Sequence, residues 1–316
     1  MKKTSLILRA PNWIGDAVYC LPVWERLSEQ HELHIVGRGW LGDLLSGYHD
    51  WHTYKLPMGT WKRRALYRQI RQKLKSPLAK NMNAIAFPTS FGSVFEMKLA
   101  GLNVIGHAHE GRTIFLKRSL PMPPAYSSIY QRYWELGDLL LHKKLPAPNR
   151  IDFRVDPKIE AETLQLLAEQ GMQPKGYVAV CPFAAGDFDG VDKKWPAFAA
   201  FADKMKAKGY QLVCCPAPNE EGDWQEKYSN IPALKGLNLS QYAAVLKNAI
   251  CVVSNDTGPG HLAAAVGVPM ISVLNRTVRE MYGAIGPNVT AVQAEGWTDV
   301  ETVLNHTLER IQSASK

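Results

Sequence analysis

The sequence predicts an α/β protein built from two doubly wound domains in tandem, facing a central cleft. Apolar, β-branched runs that indicate buried parallel strands alternate with helical segments along the whole chain. The 316 residues are enough for two domains of about 150 residues each. Residues 142–150 (HKKLPAPNR) are polar, contain two prolines and have the composition of a linker. We therefore place the domains at residues 1–148 and 149–316.

In the first domain, short apolar runs predict five strands, and longer segments between them predict helices. The predicted strands are Ser5–Arg9, Leu33–Val36, Tyr54–Leu56, Ala84–Phe87 and Val104–Ile105. The predicted helices are Asp16–Glu29, Trp61–Lys75, Ser93–Leu99 and Ser127–Leu141. Strands that alternate with helices in this way are typical of a parallel sheet.

The second domain repeats the pattern. Its predicted strands are Tyr177–Cys181, Leu212–Cys215, Cys251–Ser254, Met270–Leu274 and Val289–Val292. Its predicted helices are Lys158–Gln170, Trp195–Lys208, Leu239–Asn248, Pro259–Val266 and Asp299–Gln312. Each domain therefore has the element order of a Rossmann-like fold.

Composition limits the class of protein. The chain is 46% hydrophobic and 21% charged, which excludes a disordered protein. Its net charge of +8 indicates an anionic partner, which can be nucleic acid, a membrane surface or a phosphorylated substrate. Five cysteines without CxxC spacing favour core thiols in a reduced, cytoplasmic protein. They are Cys20, Cys181, Cys214, Cys215 and Cys251.

Neither a signal peptide nor a membrane-spanning segment is expected. The N-terminal apolar run stops at Arg9, too early for the hydrophobic region of a signal peptide. The longest uncharged run, Leu262–Leu274, is shorter than the ~20 residues that span a bilayer. The sequence is still compatible with peripheral association of the protein with a membrane surface.

Residues 255–261 (NDTGPGH) predict a phosphate-binding segment, because they lie between a buried strand and a helix of small residues. Ligands of open α/β sheets bind beyond the carboxyl ends of the strands, where helix N-termini attract phosphate. The residues placed there are Asp256, Thr257, Gly258 and His261. A lone histidine on a helix is also common as a structural group, so both interpretations of His261 stay open.

Two further loops carry candidate chemistry. Asp16 falls at the start of the first long helix, where it can act as a general base or simply cap the helix. Lys193 and Lys194 lie before the first helix of the second domain. They can neutralise a pyrophosphate leaving group or form a solvated loop. Asp187-Phe188-Asp189 has the spacing of a divalent-metal motif, although a polar loop explains it equally well.

The segment Trp61–Lys75 carries seven basic residues and no acidic one. These are Lys62, Arg63, Arg64, Arg68, Arg71, Lys73 and Lys75, and Arg112, Lys117 and Arg118 add to them. Such a run is usually a solvated helix face, but it also suits a phosphorylated or membrane-embedded partner. No nucleic-acid motif accompanies it, and no G-x-G-x-x-G follows the first strand.

Three blocks together resemble glycosyltransferase family 9, the heptosyltransferases of lipopolysaccharide inner-core synthesis. They are Trp13–Asp16 followed by Leu21-Pro22, then Lys193–Pro196, then Ser254–Gly258 with His261 and Ala263-Ala264. The resemblance implies a GT-B fold, with acceptor binding in the N-terminal domain and nucleotide-sugar binding in the C-terminal domain. It also implies an inverting, metal-independent transfer, with heptose from ADP-heptose as the expected sugar.

The resemblance also implies site residues. Asp16 takes the place of the general base, and Lys193 that of the phosphate-contacting lysine. The expected donor-binding residues are Lys194, Asn219, Asp256, Thr257, Gly258 and His261. The expected acceptor-binding residues are Asn12, Trp13, Arg63, Arg64 and Arg112. The implied partners are a nucleotide-diphosphate sugar and an anionic glycolipid or glycan at the inner membrane surface, without a cofactor, a metal or nucleic acid.

Three departures from the family pattern lie near the donor. Asn219 stands where family members often have a glutamate that holds the ribose, and Asn275-Arg276-Thr277 replaces a Gly-Pro-Thr-like turn. Pro259 precedes Gly260 and His261, where the family usually lacks proline. These departures motivate an alternative function, a non-catalytic nucleotide-sugar-binding protein that acts as a partner in glycan assembly.

Overall fold

The computed structural model describes residues 3–124, 127–184, 187–188, 190–275 and 279–314, and it confirms the predicted α/β class. The chain divides into two compact units, Met1–Pro148 and Asn149–Lys316, which we call the first and second units. Each unit is built around one parallel sheet with helices packed against it.

The first unit has six parallel strands in the order β3-β2-β1-β4-β5-β6. They are β1 (Thr4–Arg9), β2 (His31–Gly37), β3 (His52–Lys55), β4 (Ala84–Ala86), β5 (Val104–His107) and β6 (Arg118–Leu120). Its helices are α1 (Ile14–Ser28), α2 (Leu41–Leu44), α3 (Thr60–Lys73), α4 (Phe91–Leu99) and α5 (Ile129–Leu141), with a 3-10 turn at Arg112–Phe115. Strand β6 was not predicted, because three residues without a buried apolar side chain give no strand pattern.

The second unit has five parallel strands in the order β10-β7-β11-β12-β13, and a short antiparallel pair formed by β8 and β9. Its strands are β7 (Tyr177–Cys181), β8 (Asp187–Phe188), β9 (Val191–Asp192), β10 (Gln211–Val213), β11 (Cys251–Asn255), β12 (Met270–Leu274) and β13 (Val289–Gln293). Its helices are α6 (Pro157–Glu169), α7 (Phe198–Ala207), α8 (Glu221–Lys227), α9 (Leu239–Asn248), α10 (Gly258–Ala265), α11 (Arg279–Tyr282) and α12 (Val300–Ala314).

One helix of the second unit begins three residues later than predicted. The helix expected at Trp195–Lys208 begins at Phe198, because Trp195 is fully buried and packs in the core as part of the preceding loop. Its ring contacts Phe198 edge-on, with ring centroids 5.1 Å apart. The loop before α7 is therefore anchored from inside the unit.

The central strands of both sheets are buried on both faces, as parallel strands between helix layers must be. Every residue of β7, β11 and β12 is buried, and so are the last five residues of β1. All five cysteines are free and buried, as the sequence predicted for core thiols. Among the described helices, none is long and apolar enough to cross a membrane.

Each sheet has one point at which the strand order reverses. In the first unit it lies between β1 and β4, and in the second between β7 and β11. The loops that follow two such strands run to opposite sides, which leaves a crevice at the carboxyl edge of the sheet. The loop after β1 leads to Asp16, and the loop after β11 begins at Asp256, so the motif residues lie at these two crevices.

Candidate active site

Three of the predicted site residues meet at the crevice of the second unit. Lys193 Nζ lies 3.8 Å from Asp256 Oδ2, and His261 Nε2 lies 3.7 Å from Asp256 Oδ1. The Asp256 side chain is only 8% exposed, whereas that of Lys193 is 23% exposed. A carboxylate is therefore held between a cation and an imidazole, and the lysine still reaches solvent.

Helix α10 begins directly beside this carboxylate. Thr257 is its N-cap in an extended conformation, with no side-chain capping bond, and its Oγ1 lies 3.5 Å from Ser254 Oγ. The first N–H groups of a helix have no partner within the helix, so they can donate to an anion. Pro259 occupies the first turn, where proline fits the helix, so this departure from the family pattern leaves the helix start intact.

The start of α10 also packs closely on β11. A Cβ atom at Gly260 would lie 2.9 Å from Ser254 Oγ and 3.0 Å from the carbonyl oxygen of Asn255. Real Cβ atoms do not approach oxygen so closely without a shift of the neighbouring atoms. Gly260 therefore allows the helix N-terminus to sit against the end of the strand.

His261 is buried on the first turns of α10. Burial lowers the pKa of its imidazole, Lys193 lowers it further and Asp256 raises it. The ring is therefore neutral at pH 7 and faces the carboxylate of Asp256. His261 is thus a buried neighbour of Asp256, and its role in the site stays a prediction.

Asn255 holds the two halves of this crevice together, a role that the sequence analysis did not assign. Its Oδ1 accepts a hydrogen bond from the backbone N–H of Trp195 (2.9 Å), and its Nδ2 donates to the carbonyl of Pro182 (2.7 Å). The side chain is fully buried at the end of β11. The carboxamide thus ties the loop after β7, and the loop before α7, to the strand that ends beside Asp256.

Lys194 points away from Asp256. Its Nζ lies 3.3 Å from Asp223 Oδ2 on α8, and its backbone N–H donates to Asp192 Oδ1 (2.9 Å). Lys193 and Lys194 thus serve different partners, although they are adjacent in sequence. The structure brings only Lys193 to the carboxylate beside α10.

The turn after β10 places Glu220, rather than Asn219, in a half-buried position. Asn219 is exposed, whereas Glu220 Oε2 accepts the N–H of Ala217 (2.9 Å). Burial raises the pKa of the Glu220 carboxyl group. Glu220 is therefore the acidic group at the carboxyl end of β10, one residue beyond the predicted position.

Two other sequence features lie partly outside the described residues. In Asp187-Phe188-Asp189, the last residue lies outside the described residues, as does the side chain of the first. Arg276 and Thr277, which belong to the departure after β12, also lie outside them.

In the first unit, Asp16 is the third residue of α1 and does not cap it. The N-cap is Trp13, and it makes no side-chain capping bond. The half-buried Asp16 carboxylate accepts a hydrogen bond from the Tyr133 hydroxyl of α5. Burial holds the pKa of Tyr133 well above its usual range, and Asp16 raises it further. The tyrosine therefore stays a donor that orients this carboxylate.

Asn12 and Trp13 lie in the exposed loop between β1 and α1. Asn12 Oδ1 accepts a hydrogen bond from Arg9 Nη2 (2.8 Å), and the Trp13 side chain is 66% exposed. Both residues are accessible beside Asp16, at the carboxyl end of β1. This is the location at which an acceptor-binding role was predicted for them.

The structure corrects the prediction for Arg112, which was expected to contact an acceptor. Arg112 is fully buried, and it donates to the carbonyls of His107 (Nε, 2.8 Å) and Pro88 (Nη1, 2.5 Å). A buried guanidinium that satisfies backbone carbonyls stabilises the loops after β4 and β5. It is therefore a structural residue, inaccessible to a ligand.

Arg63 and Arg64 are also bound to the protein itself. Arg63 Nη1 pairs with the buried carboxylate of Glu96 (2.9 Å), and its Nε donates to the carbonyl of Pro57 (2.8 Å). Arg64 Nε donates to the carbonyl of Leu99 (3.1 Å). Both side chains attach α3 to α4, although each keeps partial exposure.

Comparison with known proteins agrees with the motifs. The model of glycosyltransferase family 9 (heptosyltransferase) matches residues 68–311. Lipooligosaccharide heptosyltransferase 2 of Haemophilus influenzae is 26% identical over 314 residues, which cover 90% of this chain and 85% of that protein.

Two solved structures share the fold. ADP-heptose lipopolysaccharide heptosyltransferase II of Escherichia coli has a TM-score of 0.82 and 19% identity, over 99% of this chain and 100% of that one. E. coli heptosyltransferase WaaC with ADP has a TM-score of 0.74 and 20% identity, over 97% and 100%. The chain therefore shares the fold of these two proteins over nearly its whole length.

Replacing Asn255 should release the two loops that its side chain holds at the crevice of the second unit. We expect Asn255→Ala to lower the free energy of unfolding by about 2–4 kcal/mol, since the N–H of Trp195 and the carbonyl of Pro182 both lose a buried partner. The exposed Asn219 is the matched control, and Asn219→Ala should change stability by less than about 0.5 kcal/mol. Urea unfolding of both variants measures the difference, and equal stabilities would contradict the role of Asn255.

Replacing Arg112 should affect stability rather than substrate recognition. Arg112→Met should lower the free energy of unfolding by about 3 kcal/mol, because hydrogen bonds from a charged donor to the carbonyls of His107, Pro88 and Ser90 are lost. Arg118, which is exposed on β6, is the control, and Arg118→Met should be nearly neutral. Unchanged stability of Arg112→Met, with a raised KM for an acceptor, would restore the ligand-binding interpretation.

Proposed function

The chain belongs to glycosyltransferase family 9, and from this membership we propose that it is an inverting, metal-independent enzyme. The sugar it transfers is a heptose from ADP-heptose, and the acceptor is a lipopolysaccharide inner-core glycolipid or a related glycan. The observation that carries the proposal is the cluster of Lys193, Asp256 and His261 at the N-terminus of α10. Two relatives that are similar over 85% or more of each chain are named as heptosyltransferases.

The second unit supplies the groups that a nucleotide-diphosphate sugar needs. The Lys193 ammonium and the N–H groups at the start of α10 stabilise negative charge on the leaving diphosphate. Thr257 and Gly258 bring these N–H groups to the end of β11. The Asp256 carboxylate, which has Lys193 and His261 on its two oxygen sides, accepts hydrogen bonds from sugar hydroxyls.

Glu220 completes the proposed donor site. A half-buried carboxylate at the carboxyl end of β10 can accept hydrogen bonds from ribose hydroxyls, which the exposed Asn219 amide is not placed to do. Lys194 contributes indirectly, because its pair with Asp223 fixes α8 beside this turn. The departures at Asn219 and Pro259 therefore leave a usable set of donor contacts.

The first unit supplies the base. As the acceptor hydroxyl attacks the anomeric carbon, its proton passes to the Asp16 carboxylate, and the new C–O bond forms. The bond between the anomeric carbon and the diphosphate breaks, and ADP leaves with the electron pair. Attack from the face opposite the leaving group inverts the anomeric configuration. The positive charge of Lys193 takes the part that a divalent cation has in metal-dependent transferases.

The carboxyl edge of the first sheet has the character of a surface for an amphipathic acceptor. Large exposed apolar side chains follow β1, β3, β4 and β5 at this edge; they are Trp13, Met58, Trp61, Phe91 and Ile114. At the start of α3, the exposed Lys62 directly follows Trp61, and the Arg64 guanidinium lies 5.8 Å from the centre of the Trp61 ring. Exposed apolar groups next to cations suit an anionic glycolipid at the inner membrane surface. We therefore place the acceptor here, with the enzyme on the cytoplasmic side.

Donor binding is the first test of this function. ADP-heptose at about 100 times its Kd should add about 2.7 kcal/mol of apparent stability, measured as a thermal shift. Asp256→Ala should lose most of this shift, while Asp203→Ala, an exposed aspartate of α7, should keep it. A shift with GDP-, UDP- or dTDP-sugars instead would replace the donor. Binding without turnover on any acceptor would favour the non-catalytic alternative.

The base is tested by turnover. Asp16→Asn should lower kcat by about 10²–10⁴-fold, because the acceptor hydroxyl loses its proton acceptor. Donor-induced stabilisation should stay as in the wild type, since Asp16 belongs to the first unit. Tyr133→Phe should cause a smaller loss, because the carboxylate remains but is less well oriented.

The same assay tests stereochemistry and metal dependence. NMR of the product should show an inverted anomeric configuration, and EDTA should leave turnover unchanged. Near wild-type turnover of Asp16→Asn would exclude this residue as the base, and retained configuration would exclude direct displacement.

A further inference from the structure

The amino-terminal edge of the first sheet carries a cluster of three side chains that can bind a metal ion. Glu32 and His34 lie on β2, two residues apart, so their side chains project from the same face of the sheet. His52, the first residue of β3, is paired in register with His34. The cluster is thus built by neighbouring strands, at the opposite edge of the sheet from Asp16.

The spacing of the ligand atoms suits a small cation. Glu32 Oε1 lies 2.9 Å from His52 Nε2 and 3.8 Å from His34 Nε2, and the three ligand atoms lie within 4.8 Å of one another. Ligands at about 2.0–2.2 Å from a tetrahedral ion are about 3.3–3.6 Å apart, and the observed distances of 2.9 and 3.8 Å lie on either side of this range. His52 is about half exposed, so its ring can rotate toward an ion.

A buried nitrogen points into the cluster. His34 is 4% exposed, and its Nε2 has no hydrogen-bond partner among the described residues. Its other ring nitrogen, Nδ1, lies 3.0 Å from the hydroxyl of Tyr54. An unpaired buried polar atom is destabilising, and a metal ion bound at Nε2 would give it a partner.

Outer contacts already orient two of the three ligands. The Tyr54 hydroxyl engages His34 Nδ1, and the Ser76 side chain hydrogen-bonds the Glu32 carboxylate. Metal-binding histidines and carboxylates are commonly held by such second partners, which fix their orientation. The cluster therefore has both the ligand set and the supporting contacts of a metal site.

We propose that Glu32, His34 and His52 bind a divalent transition-metal ion, with Zn²⁺ as the probe. Two imidazoles and one carboxylate suit Zn²⁺, Co²⁺ and Ni²⁺ better than Mg²⁺ or Ca²⁺, which prefer oxygen ligands. Three protein ligands leave one position for water. The ion ties the edge strand β3 to β2 and stabilises the first unit, and it takes no part in sugar transfer.

Metal binding by purified full-length protein tests the proposal. After EDTA treatment and dialysis, titration with ZnCl₂ should show one tightly bound ion per chain. At about 100 times Kd, the ion should raise Tm by about 5 °C or more. Co²⁺ in place of Zn²⁺ should give the visible absorption of a low-coordinate site.

Three variants test the location of the metal site without creating a cavity in the hydrophobic core. His52→Ala and Glu32→Gln remove ligands that are not fully buried, and each should weaken Zn²⁺ binding by more than about 100-fold. Tyr54→Phe should weaken it by about 10-fold or more, because His34 loses its orienting partner. His306→Ala is the matched control, since it removes a partly exposed histidine whose Nδ1 lies 3.4 Å from Glu309 Oε2 in the second unit.

Two outcomes would overturn the proposal. If the wild type takes up no Zn²⁺, Co²⁺ or Ni²⁺, the cluster is not a metal site, and the contact between Glu32 and His52 is only a hydrogen bond. If uptake persists in His52→Ala and Glu32→Gln, the ion binds elsewhere. Loss of the Zn²⁺-induced thermal shift in both variants, with an unchanged shift in His306→Ala, would support the site whether or not the sugar-transfer assignment holds.

Discussion

The donor-side geometry depends on the buried carboxamide of Asn255. This fully buried side chain uses its acceptor for the N–H of Trp195 and its donor for the carbonyl of Pro182, so both bonds are shielded from solvent. These two bonds hold the loop after β7 and the loop before α7 against the end of β11, although the three segments are far apart in sequence. The cation of Lys193 reaches Asp256 because the loop that carries it is fixed at Trp195. The ion pair between Lys193 and Asp256, at 3.8 Å, is too long to fix the position of this loop by itself. The neutral hydrogen bonds of Asn255 therefore position the two charged groups.

Parallel strands impose a second constraint, because they give each sheet two chemically different edges. At the carboxyl edge, strands end in loops and helix N-termini, which are suited to anions and to general bases. At the amino edge, strands begin, and side chains on neighbouring strands lie side by side in register. Asp16 and Asp256 belong to the first kind of edge, and His34 with His52 to the second. A metal ion at the amino edge can thus stabilise the sheet without entering the chemistry.

The sequence predicted best what depends on local pattern. Strands β7, β11 and β12 are continuous apolar runs, and the structure confirms them. Strand β6 is a short segment whose pairing is set by β5, so no local pattern reveals it. The motif predicted that Lys193, Asp256 and His261 belong to one site, but a one-residue difference in a turn separates Glu220 from Asn219. Such a difference depends on the path of the backbone. The histidines of the proposed metal site lie on two strands, with no spacing that marks them.

The basic residues show why charge counts mislead about recognition. The net charge of +8 indicated an anionic partner, yet several arginines of the first unit are used internally. Arg112 is fully buried on backbone carbonyls, and Arg63 neutralises the buried carboxylate of Glu96. These groups lower the cost of burying polar atoms, and they contribute little to a surface field. The surface that a ligand can contact at the carboxyl edge of the first sheet therefore includes the exposed apolar side chains of Trp13 and Trp61 as well as cations. An acceptor that has an apolar portion beside its phosphates fits such a surface better than a purely ionic one does.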